Sequence, residues 1–83
     1  MNTEGRHQSI KDVCIWFHYD HLPPGLYEVS KHCHDLAELM LENIPDDAQL
    51  TVGLQHLLVA KDAFVRAMRK SIDEGPVFTP LHK

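Results

Sequence analysis

Two apolar stripes fenced by prolines do most to limit what this chain can fold into. In the first, Leu26, Val29, Cys33, Leu36, Ala37, Met40 and Ile44 recur three or four residues apart, and Leu39 and Leu41 widen the band. That period marks a helix with one buried face. Pro23 and Pro24 cannot both lie in a helix interior, because each lacks an amide donor and crowds the preceding turn. Pro24 still fits the first turn. Pro45 closes the segment, since a residue before proline resists helical backbone. The spacing predicts a helix over residues 24–44, about 30 Å long.

The second stripe is longer. Leu50, Leu54, Leu57, Leu58, Phe64, Val65, Met68 and Ile72 form it, and Val59, Ala60, Ala63 and Ala67 carry it around the side. Asp46 offers an N-cap, with Gln49 three residues on in the capping-box position. A helix over residues 47–73 would run about 40 Å. Gly53 weakens it mildly, and Gly75-Pro76 stops it. Upstream, Ile10, Val13, Cys14 and Phe17 predict a shorter helix over residues 9–17 with Ser9 as its cap. Ile15 and Trp16 blur that face. Residues 77–83 are expected to lie extended.

Two long helices joined by so tight a turn are antiparallel neighbours. The fold expected is therefore all-α, a short N-terminal helix followed by a long antiparallel helical hairpin, in one domain spanning residues 1–83. Such a hairpin has one internal contact surface, and a short chain buries a small share of its area. The stripes are wider than a single partner helix covers. Spare apolar surface implies association, so a homo-oligomer is expected.

Composition excludes several classes. The net charge of −4 lacks the basic field that DNA or RNA binding requires. No apolar run approaches the roughly 20 residues of a membrane span. Residues 1–6 are polar and lack the apolar core of a signal peptide. Two cysteines, Cys14 and Cys33, make no disulfide framework, which points to a reducing cytosol.

Catalytic and metal signatures are missing too. There is no glycine-rich phosphate loop, no nucleophile elbow and no dinucleotide fingerprint. His32 and His34 stand about 200° apart on a helix and cannot share one ion. His18 and His21 could converge in a turn, but two imidazoles alone make a weak site. Cys33 falls on the apolar stripe, where a thiol is packing. Neither an enzyme nor a metal protein is expected, and no cofactor.

The run from Phe17 to Tyr27 carries the functional signal. Tyr19 is held in non-helical backbone just outside a helix start, where amide groups point outward unpaired. A ring beside free amides suits a flat, anionic ligand such as a nucleotide. The competing reading is that Phe17 and Tyr19 cover one end of a small core. Half of the eight cations, Lys61, Arg66, Arg69 and Lys70, lie late in the last helix. There they either meet an anion or complement the helix C-terminus. Lys31 sits on the polar face of the second helix, with Asp35 one turn on as an ion-pair partner.

Read in order, Tyr19-Asp20-x-x-Pro-Pro-Gly, Tyr27-Glu28-x-x-Lys31, Leu36-Ala37, Ile44-Pro45 and the Leu54-x-x-Leu57-x-x-Ala60-Lys61-x-Ala63-x-x-Arg66-Ala67 run resemble one family. It is the family of small helical-hairpin proteins by which bacteriophages sponge up the signals of CBASS immunity; a related hairpin occurs in anti-Thoeris sponges. The resemblance covers residues 14–72. It implies a non-catalytic protein of the host cell cytoplasm, a homohexamer that holds cyclic dinucleotides, or cyclic trinucleotides, intact in pockets shared between protomers. It implies Tyr19 against a base and Lys31 beside the same ligand. Phe17, Asp20 and Cys33 complete the candidate set, with one or more of Arg66, Arg69 and Lys70. Asp20 stands where many members carry a neutral polar residue, and the linker from Tyr19 to Tyr27 is short for the family. Two alternatives stay open: capture of an ADP-ribose-derived signal, as in the anti-Thoeris relatives, and a plain helical module that docks on a protein.

Overall fold

The structure, a computed structural model, describes residues 1–74. They form α1 (Gln8–Cys14), a 3-10 turn (Ile15–Phe17), α2 (Pro24–Asn43) and α3 (Ala48–Glu74), with no strand among the described residues. The expected stop at Gly75-Pro76 and the extended segment 77–83 lie outside the described residues. No described helix is long and apolar enough to cross a membrane.

The first segment is not one helix. Ser9 was the expected cap, but His7 takes that position in extended backbone, and its Nδ1 accepts from the Ser9 amide at 3.1 Å. The Ser9 hydroxyl lies 3.0 Å from Thr51 Oγ1 instead, tying α1 to α3. After Cys14 the chain tightens into the 3-10 turn. That change of pitch turns Phe17 wholly inward, while Ile15 and Trp16 stay 66% and 62% exposed.

α2 begins on Pro24 as its first helical residue and ends where Ile44, ahead of Pro45, takes extended backbone. The cap of α3 shifts by one residue from expectation. Asp47 Oδ2 accepts from the Gln49 amide at 2.7 Å, and the Asp47 carbonyl accepts from Leu50 and Thr51. Asp46 is taken by the N-terminal segment. Its carboxylate accepts from Arg6 Nη1 at 2.7 Å and from the His7 amide at 2.6 Å. Arg6 also donates to the carbonyls of Ile44 and Leu41, among the last of α2. A cation thus covers acceptors that the helix end leaves without intrahelical donors. Gly5, at φ 81°, makes the turn that brings Arg6 there.

α1 and the 3-10 turn pack against the α2–α3 pair. One cluster forms the core: Ile10, Val13, Cys14 and Phe17 from the first segment, Cys33, Ala37 and Leu41 from α2, Leu50 and Leu54 from α3. Ser30 is also fully buried, and its hydroxyl has no hydrogen-bond partner among the described residues. At its start α2 comes very close to α3: a Cβ on Gly25 would stand 2.8 Å from Ile72 Cδ1. The whole measures 44 × 31 × 17 Å. Part of both stripes is left uncovered: Leu36, Leu39, Phe64 and Ile72 are about half exposed.

Candidate functional site

The turn between the first segment and α2 lays Tyr19 along the outer flank of α2. His18 leaves the 3-10 turn in extended backbone, and the Tyr19 carbonyl then accepts from the Leu22 amide at 3.1 Å. The double proline that follows holds this loop outside the helix. Tyr19 meets two rings of α2 edge-on: Tyr27 at a centroid distance of 5.0 Å and 75°, and His34 at 4.8 Å and 64°. Such edge-to-face pairs fix a ring's orientation. Tyr19 is half-buried, and loss of solvent pushes its phenol above the ordinary value, with Tyr27 adding to the rise and Lys31 opposing it.

Lys31 lies between Tyr27 and His34 in sequence and shares their flank of the helix. Its ammonium donates to Asp35 Oδ2 at 2.8 Å, the ion pair that the i, i+4 spacing predicts. That bond raises the Lys31 pKa and lowers that of Asp35. His34 Nδ1 stands 3.1 Å from the other oxygen of Asp35 and adds to the lowering. The cluster therefore holds an oriented phenol ring and an ammonium whose present counter-ion is a carboxylate of the same helix. Chemically this is an aromatic platform beside an anion acceptor, with the acceptor already engaged.

The other candidates are dispersed. Phe17 is enclosed in the core and presents no ring face to solvent. Cys33 belongs to the same core, where burial pushes its thiol up. Asp20 is exposed on the Tyr19 loop. Arg66, Arg69 and Lys70 gather around a separate depression of about 380 Å³, with Leu26, Val65 and Asp73. Arg69 pairs there with Asp73 at 3.4 Å. No residue of the Tyr19 cluster lines that depression.

His18 and His21 do come together, but as stacked rings 5.5 Å apart and 4° from parallel. A different trio, His34, Asp35 and Glu38, brings one donor atom each within 4.8 Å. Its carboxylates already have cations, Lys31 on Asp35 and the N-terminal amine 3.8 Å from Glu38. Tyr27 and His34 were missed by reading the sequence for apolar stripes. The signal was available in the polar residues: Tyr27, Lys31, His34 and Glu38 recur at four, three and four, one flank of a helix.

No protein-family model, curated protein or solved structure matches this chain.

Proposed function

We propose that this chain is a phage-encoded sponge that binds cyclic oligonucleotide immune signals in the host cytoplasm and withholds them, uncleaved, from CBASS effectors. The observation that carries the reading is Tyr19, held edge-on by Tyr27 and His34 on the flank of α2 that also bears Lys31. A base stacks on a phenol with little sequence preference. An ammonium beside that ring adds a charge-assisted contact to phosphate. The ligand is a cyclic dinucleotide before a cyclic trinucleotide, because two symmetry-related copies of one Tyr-Lys pair suit a two-fold symmetric molecule. The protomer is a helical hairpin of α2 and α3 and the assembly a homohexamer. The sequence resemblance supports both statements, as does the uncovered apolar surface of the two helices.

Thermal shift of the purified protein against cyclic dinucleotides, cyclic trinucleotides and cyclic ADP-ribose isomers tests this, since a ligand that binds only the folded state raises Tm. Cyclic dinucleotides are expected to raise it, and mass spectrometry after heat release is expected to recover them intact. Tyr19→Ala is expected to weaken binding about ten- to a hundred-fold. A panel with no shift at millimolar ligand rules out the reading. A shift confined to ADP-ribose isomers transfers it to a Thoeris signal.

A further inference from the structure

One side of the α2–α3 pair is occupied by α1 and the 3-10 turn. The seam on the other side carries two depressions, and neither has a residue of α1 or of the 3-10 turn in its walls. The larger, about 630 Å³, runs from Leu36 and Met40 to Gly53 and Leu57, and Asp46 and Asp47 of the interhelix turn line its end. The second, about 520 Å³, runs from Val29 and His32 to Phe64 and Ala67. Residues seven apart on a helix lie in nearly one row. Gly53, Ala60 and Ala67 make such a row, and Leu57 and Phe64 make a second beside it. A Cβ on Gly53 would meet nothing within 4 Å, so another backbone has room to approach.

What distinguishes this side is its charge. Along the α3 row from Gln49 to Ser71, and along α2 from Gly25 through Val29 and Leu36 to Asn43, helical spacing places no Asp, Glu, Lys or Arg. Nearly a quarter of the chain is charged, at 24%, yet on this side charge stands only at one end, where Asp46, already paired with Arg6, and Asp47 flank the turn. A charged partner would bury its own charges here without counter-ions, at high cost. A second copy brings the same uncharged helix rows and meets no such penalty along them. On a two-fold axis every group near the centre faces its own image, and a charge there would repel itself. The side is large enough: about 30 Å long and two helices, about 20 Å, wide, it offers about 600 Å² on each copy. Two such faces exceed the roughly 1,000 Å² total that a stable interface requires.

We propose that this side, with its uncharged helix rows, is a homodimer interface, on which a second copy lays its own α2–α3 seam about a two-fold axis. The small residues of the Gly53 row set the close helix approach, and Leu36 and Phe64 of each copy fill the depressions of the other. Tyr19 and Lys31 lie on the opposite flank of α2 and stay outside the interface, so the dimer holds whether or not Tyr19 binds a nucleotide.

Light scattering of the full chain after gel filtration, at tens of micromolar, tests it. The parent is expected at an even multiple of 9.5 kDa. Ala67→Arg and, separately, Phe64→Glu are expected to cut that mass by half or more. Both residues are exposed in the single chain, so circular dichroism is expected to keep its helical signal. Val59→Arg, 69% exposed and off this side, is expected to leave the mass unchanged. A monomeric parent overturns the proposal and leaves the side to a different protein or to residues 75–83. Retention of the parent mass by both Ala67→Arg and Phe64→Glu overturns it equally.

Discussion

Phe17→Ala separates a core ring from a ligand platform more sharply than any other change in this chain. Phe17 has no exposed surface and shares the core cluster with Ile10, Val13 and Cys14 of its own segment and with Cys33, Ala37 and Leu41 of α2. Truncating a fully buried Phe to Ala costs about 3–5 kcal/mol, through lost transfer energy and the cavity left behind. A domain of this length has about 4–12 kcal/mol in all. The variant is therefore expected to lose between a quarter and all of its stability. Each kcal/mol moves Tm by about 4–8 °C in a domain of this size, so the melt is expected to fall by roughly 10–40 °C. Phe17→Leu keeps most of the volume and is expected to cost about 1 kcal/mol. The assay is urea unfolding followed by circular dichroism, at one fixed protein concentration because an oligomer's stability depends on it. Nucleotide binding is measured beside it. A Phe17→Ala protein with the parent's urea midpoint but no ligand response would refute the core assignment and return the ring to the site.

Two further outcomes follow from the charges. Asp35→Asn frees the Lys31 ammonium from its carboxylate, and calorimetric titration with a cyclic dinucleotide at low salt is expected to show about two-fold tighter binding; weaker binding would make Asp35 a contact of the ligand. The Asp46 pKa is lowered by Arg6 in the folded state, so its contribution is present in full above the ordinary value of 3.8 and is lost as the pH falls below it. Urea midpoints from pH 6 to 2.5 are expected to drop on that acid limb in the parent and to drop less in Arg6→Ala; identical acid limbs in the two proteins would refute the linkage.

The helices were legible because their signal is local. A stripe repeating every three or four residues and a proline at each boundary fix α2 to within a residue of where it lies. Caps were less legible where the deciding contact is distant. Asp46 and Asp47 are equally good caps by type, and only the N-terminal segment, whose Arg6 and His7 amide fold back from some forty residues upstream, takes Asp46 out of competition. Phe17 shows the same limit. An aromatic next to a turn reads alike whether it packs or binds, and only the 3-10 turn sends it inward. Tyr19 was singled out by its place before the double proline and Lys31 by resemblance, yet the rings that orient Tyr19 could not be found from an apolar pattern. Arg66, Arg69 and Lys70 were grouped with Tyr19 by resemblance alone, and within the protomer they line a depression that no residue of the Tyr19 cluster shares.

Because α2 turns Tyr27, Lys31 and His34 to one flank and Val29, Leu36 and Met40 to the other, a full helix diameter of about 10 Å divides them. Substitutions at that separation add with little coupling. The chain can therefore change what its rings and cations prefer, one residue at a time, without renegotiating how its helices meet. A library randomised at 19, 27, 31, 34 and 35 would sample ligand chemistry on a scaffold that stays constant.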